Sequence, residues 1–125
     1  MKKTIASAMF ATILNLFGCN AQTEKFQSVS PATFAQIIAD TTVIRLDVRT
    51  PEEYEQGHID NALNINILSD DFDKTVRATL PKDRTIALYC RSGHRSKKAA
   101  RHLANKGYKV VELNTGYIGW EKYRH

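Results

Sequence analysis

A cysteine followed by six polar or glycine residues is the part of this sequence best suited to chemistry: Cys90-Arg91-Ser92-Gly93-His94-Arg95-Ser96. A thiolate is a nucleophile, and nearby cations or a helix N-terminus favour the thiolate over the thiol. The two arginines supply fixed positive charge, and the serines and the histidine supply hydrogen-bond donors. The glycine permits the positive φ that lets a loop curl around an anion. We predict that Cys90 is a nucleophile and that residues 91–96 bind a sulfur-centred or oxyanionic substrate.

The alternative interpretation of Cys90 is an inert buried thiol, which is the more frequent state of a lone cysteine. A buried strand cysteine is normally followed by further apolar residues, whereas Cys90 is followed by a polar run. This context favours the functional interpretation. The sequence has two cysteines, Cys19 and Cys90, which excludes a scaffold built on several disulfides.

The residues on either side of the polar run predict the elements that must position it. Residues 85–89 are almost continuously apolar, as in a strand buried on both faces of a parallel sheet. Residues 96–106 have the pattern of a basic helix that ends at Gly107. A loop between such a strand and such a helix lies at the carboxyl edge of the sheet, where ligands bind, and the helix adds the positive end of its dipole.

Strands and helices alternate along the rest of the chain. The clearest helix start is Thr50-Pro51-Glu52-Glu53, in which Thr50 is the cap, Pro51 suits the first turn and Glu53 completes a capping box; Gly57 ends this helix. Further strands are predicted at 26–29, 43–48, 62–67 and 109–113, and further helices begin at Ser30-Pro31 or cover 70–80 and 116–123. The alternation predicts an α/β fold with a mainly parallel sheet.

Other polar and aromatic residues have mainly structural interpretations. Asp47 ends a predicted strand, and we expect it to support the site by pairing with Arg49 or with a donor of the loop. Glu53 is expected to be a cap, His58 to hold a turn, and Trp120 to anchor the last helix to the core. The spacing of the four histidines and two cysteines does not match a metal site, so we expect neither a metal nor a cofactor.

The first residues have the features of an export signal. Lys2-Lys3 precede an apolar segment that would span about 21 Å as a helix, shorter than the roughly 30 Å hydrocarbon core of a membrane. Leu16-Phe17-Gly18-Cys19 resembles a bacterial lipobox, in which the cysteine is acylated after cleavage; cleavage after Ala21 is the alternative. We predict a signal peptide over 1–18, a tether over 19–25 and a domain over 26–125. The mature protein would be periplasmic and anchored to the membrane through lipidated Cys19.

The net charge of +5 is concentrated in one part of the chain. Residues 82–109 contain nine Lys or Arg and one Asp, whereas residues 24–73 contain three basic and ten acidic residues. The basic segment lacks the interleaved aromatic residues and the fold signature of a nucleic-acid-binding domain, so we expect no nucleic-acid partner and assign the charge to the anion site. Without residues 1–18 the chain suffices for one compact domain and not for two.

Four segments of the sequence resemble the single-domain rhodaneses, the thiosulfate sulfurtransferase family. They are the loop at 90–96 and the segments Leu46–Tyr54 (LDVRTPEEY), Gly57–Ala62 (GHIDNA) and Gly116–Trp120 (GYIGW). The resemblance covers residues 26–123 and departs from the family mainly at Asp60-Asn61, where many members have Pro-Gly. Asparagine tolerates the left-handed conformation, so we expect the turn to be kept.

The resemblance implies a fold of about five mainly parallel strands flanked by helices, and a two-step reaction. The Cys90 thiolate would attack the sulfane sulfur of a small anionic donor such as thiosulfate, forming a persulfide and releasing sulfite. A thiol or cyanide would then accept that sulfur. Arg91 and Arg95 would bind the donor or support the loop.

Two other functions use the same residue types. Phosphatases and arsenate reductases also place a thiolate in an anion-binding loop, but those of this fold have one residue more than the Cys90-x4-Arg95 spacing found here. A non-enzymatic sulfur carrier or redox partner, loaded by a sulfur-relay or redox protein, has no distinguishing feature in sequence, and this alternative stays open.

Overall fold

The computed structural model describes residues 24–125, in which five strands and five helices alternate. The strands are β1 (Gln27–Val29), β2 (Ile44–Asp47), β3 (Leu63–Asn64), β4 (Ile86–Tyr89) and β5 (Val110–Leu113). The helices are α1 (Pro31–Ile38), α2 (Pro51–Gln56), α3 (Phe72–Thr79), α4 (His94–Asn105) and α5 (Gly116–Arg124). The predicted signal peptide, Cys19 and the tether up to residue 23 lie outside the described residues.

All five strands are parallel and form one sheet in the order β1-β5-β4-β2-β3. β4 is the central strand, with Leu88 beside Leu46 of β2 and Glu112 of β5. Because every strand runs in the same direction, the carboxyl ends of β2, β4 and β5 meet at one edge, where the loop after β4 begins. The predicted α/β class with a five-stranded parallel sheet is confirmed.

The central strand is buried on both faces, as its apolar sequence predicts. Ile86, Leu88 and Cys90 belong to one core cluster, beneath α3 and α4. Ala87 and Tyr89 belong to the other, beneath α1 and α5. Each of these five residues is at most 1% exposed, so β4 holds the start of the loop within the core of the domain.

The local helix and turn signals are confirmed. The Ser30 side chain accepts a hydrogen bond from the Thr33 amide at the start of α1. At α2 both halves of the capping box are formed, between Thr50 and Glu53. Asn61 adopts a φ of 66°, the left-handed conformation expected where the family has glycine.

Several element boundaries differ by one to three residues from those predicted, and two of the differences have a clear physical reason. α4 begins at His94, two residues earlier than expected, because Gly93 takes the left-handed N-cap position that ends the loop. The strand predicted over 62–67 is only Leu63–Asn64. After it, Ile65 turns into the core beside Phe72 of α3 and is 6% exposed, so this apolar run continues in the core and not in the sheet.

No helix among residues 24–125 combines the length and the apolar character needed to cross a membrane.

Candidate active site

Cys90 is the first residue after the central strand and is 1% exposed. The loop that it begins is held in place by the first turn of α5, which lies directly against it. The Tyr117 amide donates to the Cys90 carbonyl at 2.8 Å, and the Ile118 amide donates to the Arg91 carbonyl at 3.0 Å. The GYIGW segment therefore acts on the site through its backbone.

Two glycines allow this close contact between the loop and the β5–α5 turn. Gly116 has a φ of 66°, and a Cβ there would come closer than 3.0 Å to backbone atoms of Arg91 and Ser92. Gly93 has a φ of 103°, and a Cβ there would come closer than 3.0 Å to the Asn114 carbonyl oxygen. Both positions combine a left-handed backbone with direct backbone packing, which only glycine accommodates without strain.

The Cys90 sulfur has one donor and one acceptor in its immediate surroundings. The Gly93 amide donates to Sγ at 3.2 Å, and the thiol donates to Ser96 Oγ at 3.4 Å. The N-terminus of α4 has no side-chain cap, so the positive end of the helix dipole is directed at the loop without a competing carboxylate or hydroxyl cap. Negative charge on sulfur, or on a sulfur atom attached to it, is favoured at this position.

Arg95 is paired with Glu53, a residue expected from sequence to be a cap alone. Arg95 Nη1 and Nη2 donate to the two carboxylate oxygens of Glu53 at 2.8 and 2.9 Å, a bidentate geometry that orients the guanidinium. Chiefly because of this pair, the pKa of Glu53 falls from its ordinary 4.5 to about 2. The geometry thus makes Arg95 a support of the loop that ties α4 to α2.

Of the other loop residues predicted to bind substrate, some are exposed and some are buried. Arg91, Ser92 and His94 are exposed, whereas Gly93 and Ser96 are buried. Arg91 is therefore the arginine of the loop that faces solvent. Beside the loop lies a cleft of about 470 Å³ whose lining includes His94, Arg95, Lys98 and the apolar Leu68 and Phe72.

Asp47 and Arg49 form a buried ion pair, and Arg49 is one of the two partners that the sequence allows for Asp47. Asp47 is 0% and Arg49 4% exposed, and Arg49 Nη2 lies 2.7 Å from both Asp47 Oδ2 and the Gly57 carbonyl oxygen. The guanidinium also lies over the Tyr117 ring, 4.5 Å from its centroid. The pair joins the end of β2 to α2 and α5, the elements that surround the loop. His58 holds its turn through a 2.9 Å contact between Nδ1 and the Tyr54 carbonyl oxygen.

Glu112 is a buried charged residue that sequence reasoning did not include in the site. It lies in β5, is 0% exposed and accepts a hydrogen bond from Ser96 Oγ, and Ser96 in turn contacts Cys90. A glutamate inside the otherwise apolar run Val110-Val111-Glu112-Leu113 was the available signal.

Comparison with known proteins agrees with this geometry. Residues 30–123 match the family described as "Rhodanese-like domain". A sulfurtransferase of Allochromatium vinosum is 36% identical over 97 residues, covering 76% of this chain and 88% of the relative. A mitochondrial protein of Schizosaccharomyces pombe, named provisionally as a thiosulfate sulfurtransferase, is 35% identical over 92 residues, covering 65% of each chain.

A solved structure gives the same result for the fold. A rhodanese-related protein from Thermoplasma volcanium superposes with a TM-score of 0.70 at 28% identity, covering 78% of this chain and 93% of the other. The family match, the relatives and the fold agree, and the chain belongs to the rhodanese-like domain family.

Proposed function

We propose that this protein is a sulfurtransferase in which Cys90 accepts sulfane sulfur from thiosulfate or a persulfide donor and passes it to a thiol or cyanide. The observation that carries the proposal is the position of the Cys90 sulfur. It lies at the carboxyl end of the central strand, accepts a hydrogen bond from the Gly93 amide at 3.2 Å and faces the start of α4.

The first step forms a bond between Cys90 Sγ and the sulfane sulfur of the donor. With thiosulfate, the sulfur–sulfur bond of the donor breaks, and its electron pair leaves with sulfite. The product is a Cys90 persulfide whose negative charge lies on the outer sulfur. In the second step the acceptor attacks that outer sulfur, and the electron pair of the persulfide bond returns to Sγ as thiolate.

The loop supports both steps electrostatically. Its backbone amides and the α4 dipole are oriented before the substrate arrives, so they stabilise the developing charge without reorganisation. We assign binding of the anionic donor to the exposed Arg91, with Ser92 and His94 beside it, and support of the loop to Arg95. Since Cys90 is 1% exposed, the site suits a donor whose reacting sulfur is terminal and small.

The test is the mass of the protein after incubation with thiosulfate. We expect the mass to increase by one sulfur atom, the modification to map by peptide analysis to Cys90, and cyanide to remove it as thiocyanate. Cys90→Ala is expected to take up no sulfur, and Cys19→Ala is the matched control that keeps the reaction. If neither thiosulfate nor a low-molecular-weight persulfide transfers sulfur to Cys90, the proposed sulfurtransferase activity is refuted.

The same mass measurement and a phosphatase assay separate the alternatives. Sulfur reaching Cys90 only from a loaded protein would assign the chain to the sulfur carriers and redox partners. Turnover of an aryl phosphate that is lost in Cys90→Ser would assign it to the phosphatases.

We further propose that the protein is exported and held at the membrane by a lipid on Cys19. The support is the sequence of residues 1–19. Wild-type protein is expected in the membrane fraction with the mass of an acylated Cys19, and Cys19→Ala is expected in the soluble fraction. An unmodified N-terminus at Gln22 would instead indicate cleavage after Ala21.

A further inference from the structure

Glu112 is a carboxylate held in the interior beside the reactive cysteine. Its side chain is 0% exposed, and a buried carboxylate is unfavourable unless it is well hydrogen-bonded. The rest of the strand gives no reason for a charged residue here, because Val110 and Leu113 of the same strand are buried in the apolar core. A charged residue in such a place is a candidate for chemistry.

The carboxylate is bound mainly by two hydroxyl groups. Ser28 Oγ donates to Oε1, and Ser96 Oγ donates to Oε2, each at 2.5 Å. Lys97 Nζ lies farther away, at 3.5 Å from Oε2, and is shared with the carbonyl oxygens of Gly93 and Asn114. The positive charge near Glu112 is therefore diffuse, whereas the hydroxyl contacts are close and directional.

Ser96 connects this carboxylate to Cys90. A serine hydroxyl has a single proton, and here that proton is directed at Glu112, so Ser96 offers a lone pair to the Cys90 thiol at 3.4 Å. This arrangement suits a thiol. A thiolate needs the opposite arrangement, with Ser96 donating to sulfur and Glu112 supplying a proton to Ser96.

We propose that Glu112 is the proton acceptor for the Cys90 thiol, with Ser96 as the bridge. The S–H bond breaks with its electron pair left on sulfur, and the proton binds Ser96 Oγ. The original Ser96 proton passes to Glu112 Oε2, so the charge moves from carboxylate to sulfur with no change in total charge or oxidation state. This inference rests on the proposed role of Cys90 as the nucleophile and adds the origin of its thiolate.

The surroundings stabilise the charge in either position, on sulfur or on the carboxylate. After transfer the thiolate accepts hydrogen bonds from both the Gly93 amide and the Ser96 hydroxyl. On α4, Lys97 lies 3.5 Å from Glu112 Oε2 and stabilises the carboxylate. The pKa of Arg95 is raised first by Glu53 and in smaller part by Cys90. β1 contributes the neutral Ser28 hydroxyl. The carboxyl group, once protonated, keeps its hydroxyl partners.

The test is the pH dependence of Cys90 alkylation by iodoacetamide in the full-length protein, followed at the Cys90 peptide by mass spectrometry. Two groups that share a proton titrate in two macroscopic steps. We therefore expect two rises in the wild-type rate, separated by a plateau. Glu112→Gln is expected to lose the plateau and to show one rise that reaches the full rate directly, because no second group then competes for the proton.

Two serine variants form a matched pair. Ser96→Ala and Ser28→Ala each remove one hydroxyl that donates to Glu112, but only Ser96 contacts Cys90. Ser96→Ala is expected to show one rise, and Ser28→Ala to keep two with displaced midpoints. A single rise in the wild type, or two rises retained in either Glu112→Gln or Ser96→Ala, would overturn the relay. Circular dichroism checks that each variant is folded.

The alkylation profile and the sulfur-transfer assay fail independently. A protein that forms the Cys90 persulfide but alkylates in one step lacks the relay and keeps the proposed function. A protein with the two-step profile that accepts no sulfur keeps the relay and lacks the function.

Discussion

Replacing Glu53 by glutamine should lower stability at neutral pH and remove part of the sensitivity to acid. The hydrogen bonds from Arg95, and after them those from Thr50, hold the pKa of this carboxyl at about 2 against an ordinary 4.5, although burial opposes them. A carboxyl group whose pKa is lower in the folded state stabilises the fold above the unfolded pKa. That contribution is lost as the pH falls through the folded pKa.

The magnitude follows from the size of the shift. A displacement from 4.5 to about 2 corresponds to about 3 kcal/mol at 1.36 kcal/mol per unit. The side chains of Arg95 and Glu53 are 24% and 23% exposed, so solvent screens the pair, and we expect about 1–2 kcal/mol. Wild type and Glu53→Gln should differ by this amount at pH 7, and the difference should shrink between pH 4.5 and 2.

Urea unfolding at a series of pH values measures this difference. Glu52→Gln is the matched control, because Glu52 is exposed in the same first turn of α2 and lies outside the ion pairs found among residues 24–125. It corrects for the loss of negative charge near the helix N-terminus. If Glu53→Gln remained destabilised by the same amount at the lowest pH, the contribution would come from packing, and the ion-pair reasoning would be refuted.

Three further predictions test other contacts. Gly116→Ala should cost about 1–3 kcal/mol and slow sulfur loading of Cys90, because the new Cβ overlaps Arg91. Gly107→Ala is the control, because Gly107 also has a positive φ, 98°, but a Cβ there would have no neighbour nearer than 3.9 Å. This variant should lower the melting temperature without affecting loading. Equal loading rates in the two glycine variants would contradict the prediction. Arg49→Met should cost about 3–5 kcal/mol in urea unfolding by leaving Asp47 buried and unpaired. Adding Asp47→Asn should recover part of that loss, and simple additivity would argue against the pair. Trp120→Ala should cost about 3–5 kcal/mol, because the Trp120 ring packs edge-on against Phe34 with centroids 6.0 Å apart. Unfolding monitored by circular dichroism measures this loss, and a value below about 1 kcal/mol would rule out the role of Trp120 as an anchor.

Features that depend on neighbouring residues were predictable from sequence. The caps at Ser30 and Thr50, the doubly buried strand β4 and the left-handed turn at Asn61 all appear as expected. The reason is that a cap or a turn is a contact over two or three residues. The loop at 90–96 was recognisable for the same reason, because its chemistry and its flanking elements are contiguous in the chain.

Contacts between distant segments were decided by the tertiary structure alone. Arg95 is 42 residues from Glu53, and Ser96 is 16 residues from Glu112. No local pattern pairs them, because the order and register of the strands determine which side chains meet. By itself the sequence determined the fold class and pointed to Cys90 as the nucleophile. Only the packing of β5 beside β4, with Glu112 next to Leu88, placed a buried carboxylate one hydroxyl away from that cysteine.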